Sequence, residues 1–200
     1  MKGKLFFLIV VCALTVLLVA GCSTLQPSSG GDTNNYFPNT DGYTWRYSTS
    51  DGSSQVMTFE GTIQIGSTTV QIFKVRYTYP SRSASTAESY MKVDSSGVYY
   101  YPSLTTTEAY TFLSYPLEVG KNWIYYDLGP NSYSSRATVA AQEDVTVSAG
   151  TFNCYKITFA YLRGTVEVGS SNIWFGKNVG MVKTTTSSTT YETQLVWKSF

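Results

Sequence analysis

Cys22 is the residue whose type and position most directly specify a chemistry. It stands in the run Val19-Ala20-Gly21-Cys22-Ser23, directly after an apolar leader. That run resembles a bacterial lipobox, where a diacylglycerol is attached to the cysteine sulfur and the leader is cut away. Lys2 and Lys4 supply a positive start, and Leu5 to Ala20 is an apolar run broken only by Thr15. This is the layout of an export signal. The competing reading is an uncleaved membrane helix, but the run falls short of the roughly 20 apolar residues that span a bilayer core. No basic stop-transfer cluster follows it. Ser23, rather than Asp, at the next position points to the outer membrane if the organism has one.

The remaining reactive groups are few. Cys12 leaves with the leader and Cys22 carries lipid, so the mature chain holds Cys154 alone and forms no internal disulfide. Cys154 reads as a small buried strand residue; the alternative is a reactive thiol. The chain contains no histidine, which removes the usual base for such a thiol, the Ser-His-Asp triad and histidine-containing zinc sites. No phosphate-binding loop or dinucleotide fingerprint is present. Glu143 with Asp144, and Asp41 with Asp51, are the carboxylate pairs to weigh for acid–base work. Neighbours on a strand point to opposite faces, which argues against the first pair. Cleavage removes Lys2 and Lys4, leaving twelve basic against thirteen acidic side chains. That balance gives no basic patch for nucleic acid. The chain is read as non-catalytic, without metal or cofactor.

The elements that carry these residues are strands. Residues 1–21 are the signal peptide, and 22–35 are the lipidated N-terminus and a flexible tether. The thirteen residues Ser23 to Asn35 are rich in Ser, Gly and Pro and reach roughly 20 Å. Residues 36–200 form a single β domain. Met57, Phe59, Ile63 and Ile65 alternate with polar residues, as do Tyr155, Ile157, Phe159 and Tyr161, and Tyr191, Leu195 and Trp197. That is the period of a half-buried strand. Turn signals recur at Asp51-Gly52, Gly66-Ser67, Ser96-Gly97, Gly129-Pro130-Asn131, Ala149-Gly150 and Asn178-Val179-Gly180. Some ten to twelve antiparallel strands are expected.

The domain repeats internally. Pro38, Gly42, Trp45 and Tyr47 recur as Pro116, Gly120, Trp123 and Tyr125, and Val70 to Tyr77 match Phe152 to Phe159. The copies span about 36–113 and 114–200. In both, the apolar face switches, from Val70/Ile72 to Phe73/Val75 and from Phe152/Cys154 to Tyr155/Ile157. A face switch without a break is the mark of a bulge, and repeated bulges curl a sheet. The fold class is therefore all-β: a strongly curved antiparallel sheet, half-barrel or open barrel, built from two duplicated units.

Three stretches of the second copy carry a family resemblance. They are Tyr115-Pro116-Leu117-Glu118-Val119-Gly120-Lys121-Asn122-Trp123, Val145-Thr146-Val147-Ser148-Ala149-Gly150-Thr151-Phe152 and Trp174-Phe175-Gly176-Lys177-Asn178-Val179-Gly180-Met181-Val182-Lys183. Together they resemble the TapB-like bacterial lipoproteins, with Ser148 in place of a usual Pro and Asn178 in a slot often held by Pro-Gly. The resemblance implies a half-barrel similar to the LolA/LolB carriers, which hold acyl chains in a concave face. It implies no catalytic residue, and it leaves Gly120, Gly180, Trp123 and Tyr125 as turn and core positions.

Two functions fit this reading. One is a binding module for an apolar or amphiphilic ligand such as lipid. The other is an envelope interaction protein that contacts a protein or glycan through exposed aromatics. Seventeen Tyr and four Trp favour contact surfaces, although β proteins also use them in cores and cross-strand pairs. Tyr99-Tyr100-Tyr101 and Tyr125-Tyr126 are expected to place rings on both faces of their strands. In either case the membrane is the partner of Cys22. Replacing the anchor tests this: Cys22→Ala is expected to leave the fold intact and move the protein from the membrane to the soluble fraction. Retention in the membrane pellet would contradict the assignment.

Overall fold

The computed structural model of the chain describes residues 34–129, 132–189 and 191–200. Cys22, the expected signal peptide and most of the expected tether lie outside them. Twelve strands follow one another: β1 (Thr44–Thr49), β2 (Ser54–Ile65), β3 (Thr68–Thr78), β4 (Ser85–Asp94), β5 (Gly97–Tyr101), β6 (Tyr110–Ser114), β7 (Asn122–Asp127), β8 (Tyr133–Val147), β9 (Gly150–Arg163), β10 (Val166–Gly176), β11 (Gly180–Thr186) and β12 (Glu192–Lys198). All pair antiparallel in one sheet, ordered β6-β5-β4-β3-β2-β1-β12-β11-β10-β9-β8-β7. Each half of the chain is thus a six-strand meander, and the first and last strands join them. The outer strands β6 and β7 meet without a backbone ladder. The Trp123 indole donates to the Thr111 carbonyl at 2.8 Å, and Phe112 packs on Tyr125 with ring centroids 5.8 Å apart. The result is a nearly closed barrel with one side-chain-sealed seam.

The repeat is visible in the hydrogen bonding. Gly42 N–H donates to Phe59 O, and Gly120 N–H donates to Val139 O, both at 2.9 Å. Phe59 and Val139 are therefore equivalent. Their partners are Phe73 and Ile157, two residues out of step with the match read from the sequence. The β8–β9 arm beyond this point is two residues longer on each strand than the β2–β3 arm. The face switch is real, but the bulges that produce it lie in the partner strands. β2 bulges between Phe59 and Thr62, and β8 between Val139 and Ala141. Ile63 and Ile65 therefore do not share a face with Phe59. They pack with Val70 and Tyr101 in a satellite cluster, while Phe59, Phe73 and Val75 join the main core. A similar irregularity between β1 and β12 separates buried Leu195 from exposed Trp197.

Aromatic rings fill the end of the barrel where β1 begins. Phe37, from the segment before β1, contacts Trp45, Phe59, Phe73, Phe112 and Phe175, with centroids 5.8 to 6.5 Å apart. These rings come from both meanders, so Phe37 ties the halves together as a plug. Trp45 donates to the Val179 carbonyl at 2.6 Å, and Tyr47 to the Met181 carbonyl at 2.9 Å. Gly180 fits because its φ is +91° and an added Cβ would lie 3.2 Å from the Trp45 indole nitrogen. Phe37→Ala is expected to cost about 3–5 kcal/mol of stability, read from urea denaturation. A loss below about 1 kcal/mol would show that the plug does not carry the core.

Candidate functional site: the mouth of the barrel

The opposite end of the barrel, where β1 finishes, differs in chemistry. Directly paired residues on neighbouring strands share a face, so the register identifies what lines the interior. Buried Tyr47 pairs with Gln55, and Gln55 with Tyr77. Met91 pairs with Tyr100, and Tyr100 with Tyr110. Ser135 pairs with Tyr126 on one side and Tyr161 on the other. Thr49 pairs with Thr193, and Thr193 with Thr184. Apart from the buried Tyr47, Met91 and Ser135, these inward-facing residues are only half-buried. Inward-facing side chains that still meet solvent define a lumen open to water at this end.

Five tyrosines concentrate at the seam. The Tyr110 ring lies 6.0 Å from Tyr125 and 5.5 Å from Tyr126, and Tyr100 lies 6.1 Å from Tyr110. Tyr161 shares a 2.8 Å hydrogen bond with Ser171. The sequence predicted that Tyr125 and Tyr126 would fall on opposite faces. A bulge in β7 between Ile124 and Tyr126 overturns this. Tyr125 packs on Phe112 and Phe159, while Tyr126 pairs with inward-facing Ser135. Both rings therefore serve the interior. The Tyr99–Tyr101 run follows expectation, with Tyr101 in the satellite cluster and Tyr100 facing inward. Burial raises the Tyr125 hydroxyl pKa, and the phenols of Tyr100, Tyr161, Tyr126 and Tyr110 raise it further. Burial, with Tyr161 and Tyr110, does the same for Tyr126. These two hydroxyls stay protonated and neutral well beyond physiological pH.

Beneath the mouth lies an apolar cavity of about 100 Å³. Phe37, Tyr47, Met57, Met91, Phe112 and Met181 line it. A dry protein cavity that accepts benzene measures about 150 Å³. This one is smaller, so an acyl chain fits only if Phe37 or the methionines move.

The sequence-derived candidates separate. Asp51 caps a turn, accepting from Ser53 N–H and Oγ, and those bonds lower its pKa. Asp41 accepts from Gly61 N–H. Glu143 accepts from the Trp174 indole at 2.6 Å, and Asp144 from Asn153 at 2.7 Å. Glu143 pairs with Cys154 and Asp144 with Asn153, so the two carboxylates face opposite ways. Each has a local structural partner: Asp51 is held by Ser53 in the β1–β2 turn at the rim of the mouth, and the other three lie toward the opposite end. Cys154 is fully buried. Burial, then the charges of Asp144 and Glu143, push its thiol pKa up to about 12. The inert reading of this cysteine therefore fits its surroundings.

A family model described as DUF3108-like matches residues 133–194, from β8 into β12. No curated protein matches the chain. Two solved structures share the fold. One, from Bacteroides fragilis, is described as an exported protein with a YmcC-like fold; it has a TM-score of 0.55 and 13% identity, covering 84% of this chain and all of its own. The other, from Parabacteroides distasonis, is described as a lipoprotein; it has a TM-score of 0.52 and 18% identity, covering 83% of this chain and 99% of its own. Neither carries the TapB-like name or is described as a LolA/LolB-type carrier.

The Cys154 environment gives a direct expectation. A thiol-specific disulfide reagent at mildly alkaline pH should leave the folded protein unlabelled at this position and modify it fully in denaturant. Rapid labelling of the folded protein would show an accessible thiolate.

Proposed function

We propose that this chain is a non-catalytic envelope lipoprotein, anchored through Cys22, that binds its partner molecule at the tyrosine-lined mouth. The observation that carries this is the asymmetry of the lumen. One end is sealed by Phe37 and its ring of aromatics, and the other presents half-exposed tyrosines and threonines to water. Asn35, near the start of the described residues, accepts from Asn178 N–H at the sealed end. Tyrosine suits such a site because it offers apolar area and a polar tip with little side-chain entropy to lose. The exported and lipoprotein descriptions of the two structural neighbours agree with an envelope location.

A second reading keeps the interior for lipid, as the LolA/LolB likeness implies. The methionine-lined cavity favours it, since Met side chains adapt to irregular ligands. Occupancy would require displacement of the Phe37 plug.

Tyrosine footprinting separates the two. Nitration of intact cells should protect Tyr110, Tyr126 and Tyr161 relative to the purified protein, while Tyr43 at the sealed end and Tyr99 on the outer face react alike in both. Equal reactivity of all five would overturn binding at the mouth. Acyl lipid retained by the membrane-extracted protein in native mass spectrometry would instead favour the lumen.

A further inference from the structure

Ser135 is the unexplained residue of the mouth. It is fully buried, and its hydroxyl has no hydrogen-bond partner among the described residues. Its environment is not apolar by default. Ser171, also buried, has its hydroxyl bonded to Tyr161. An orphaned buried hydroxyl costs about 1–3 kcal/mol, and a Val or Ala would avoid the cost. Ser135 is paired directly with Tyr126 on one side and Tyr161 on the other, and both of these tyrosines are only half-buried. A polar group held without a partner between half-buried rings at the mouth is what a ligand hydroxyl would complete.

The surrounding chemistry narrows the ligand. The inward-facing partners around the mouth are Tyr77, Tyr100, Tyr110, Tyr126, Tyr161, Thr49, Thr184, Thr193 and Gln55, all uncharged, with Arg163 the next inward position beyond Tyr161 at the rim. An anionic lipid headgroup or a nucleic acid would need a cluster of cations among these side chains rather than one arginine at the rim. A peptide added as a further strand would need a free strand edge. The two edges available, β6 and β7, face each other, and each carries a bulge, at Phe112 and at Tyr125. What the mouth does offer is flat ring faces interleaved with neutral donors and acceptors. Sugar rings present apolar C–H faces and equatorial hydroxyls in the same alternation.

We propose that the mouth is a binding site for a neutral oligosaccharide, with Tyr110, Tyr126 and Tyr161 stacking on sugar rings and Ser135 bonding a sugar hydroxyl that enters between Tyr126 and Tyr161. This rests on the mouth being the binding surface and names its ligand class.

The test uses the full-length lipoprotein in phospholipid nanodiscs against an array of neutral glucan, mannan, galactan and N-acetylglucosamine oligomers, with uronate-containing oligomers alongside. Saturable binding should be confined to uncharged oligomers and be insensitive to salt. Tyr126→Ala should weaken it roughly tenfold, the loss of about one stacking contact, while Tyr99→Phe on the outer face leaves it unchanged. Ser135→Ala should weaken binding yet raise the thermal midpoint of the free protein, a split that a purely structural serine would not produce. Binding by no neutral oligomer, or binding that Tyr126→Ala leaves intact in a normally folded protein, overturns the proposal. If the cellular footprint at Tyr110, Tyr126 and Tyr161 persists while every neutral oligomer fails, the mouth stands as the binding surface and the carbohydrate class falls. If both fail, both readings fall.

Discussion

The ladder between β1 and β12 is the constraint on which the rest of this fold depends. Among the described residues it is the strand ladder that joins the two meanders. It pairs residues some 150 positions apart, from Trp45 with Lys198 to Thr49 with Thr193. Closing so long a loop costs roughly 4 kcal/mol by the logarithmic rule, plus a constant. The side chains gathered along the ladder offset this. Trp45, Tyr47 and Leu195 are all buried, and each such burial contributes about 1.5–3 kcal/mol. Trp45 and Tyr47 also reach across to β11 and the turn before it through their polar tips. Without the ladder, each meander would present an unpaired edge and a half-covered aromatic face.

The internal repeat makes the seam intelligible. β7 is the second copy of β1, and β6 stands in for β12. Trp123 and Tyr125 thus repeat Trp45 and Tyr47, at a joint that lacks the ladder. The bulge at Tyr125 accounts for the difference. In β1 the tyrosine is inward, fully buried and bonded to a carbonyl. In β7 the extra residue breaks the register, brings two consecutive tyrosines to the interior and leaves β6 and β7 to be sealed by rings and one indole bond. One copy uses the position for closure. The other uses it to build a mouth. Bulges of this kind commonly re-aim side chains near binding sites.

Much of this architecture was legible in the sequence. The period-two runs, the turn residues and the paired Pro-Gly-Trp-Tyr signatures gave the strands, the antiparallel class and the duplication. What could not be read was facing. Phe59 and Ile63 look like one stripe, as do Leu195 and Trp197, because alternation assumes an unbroken strand. The bulges that divert them become visible only when the partner strand is known. For the same reason Tyr125 and Tyr126 read as opposed. The candidate site was less legible still. A serine in a strand carries no signal, and only the pairing of Ser135 with two tyrosines, together with its missing partner, sets it apart. The carboxylates, which sequence reasoning could weigh only as pairs, separate into local caps and braces.

The meeting of the first and last strands makes the order of the chain almost circular. No ladder crosses the connection between β6 and β7. A polypeptide opened there and joined between β12 and β1 would therefore keep every strand ladder. The same geometry describes two identical six-strand chains set edge to edge, each lending its β1 equivalent to the other's last strand. The present protein has the form of such a homodimer fused into one chain. Fusion freed its two joints to diverge, so that one fastens the barrel and the other lies beside its opening.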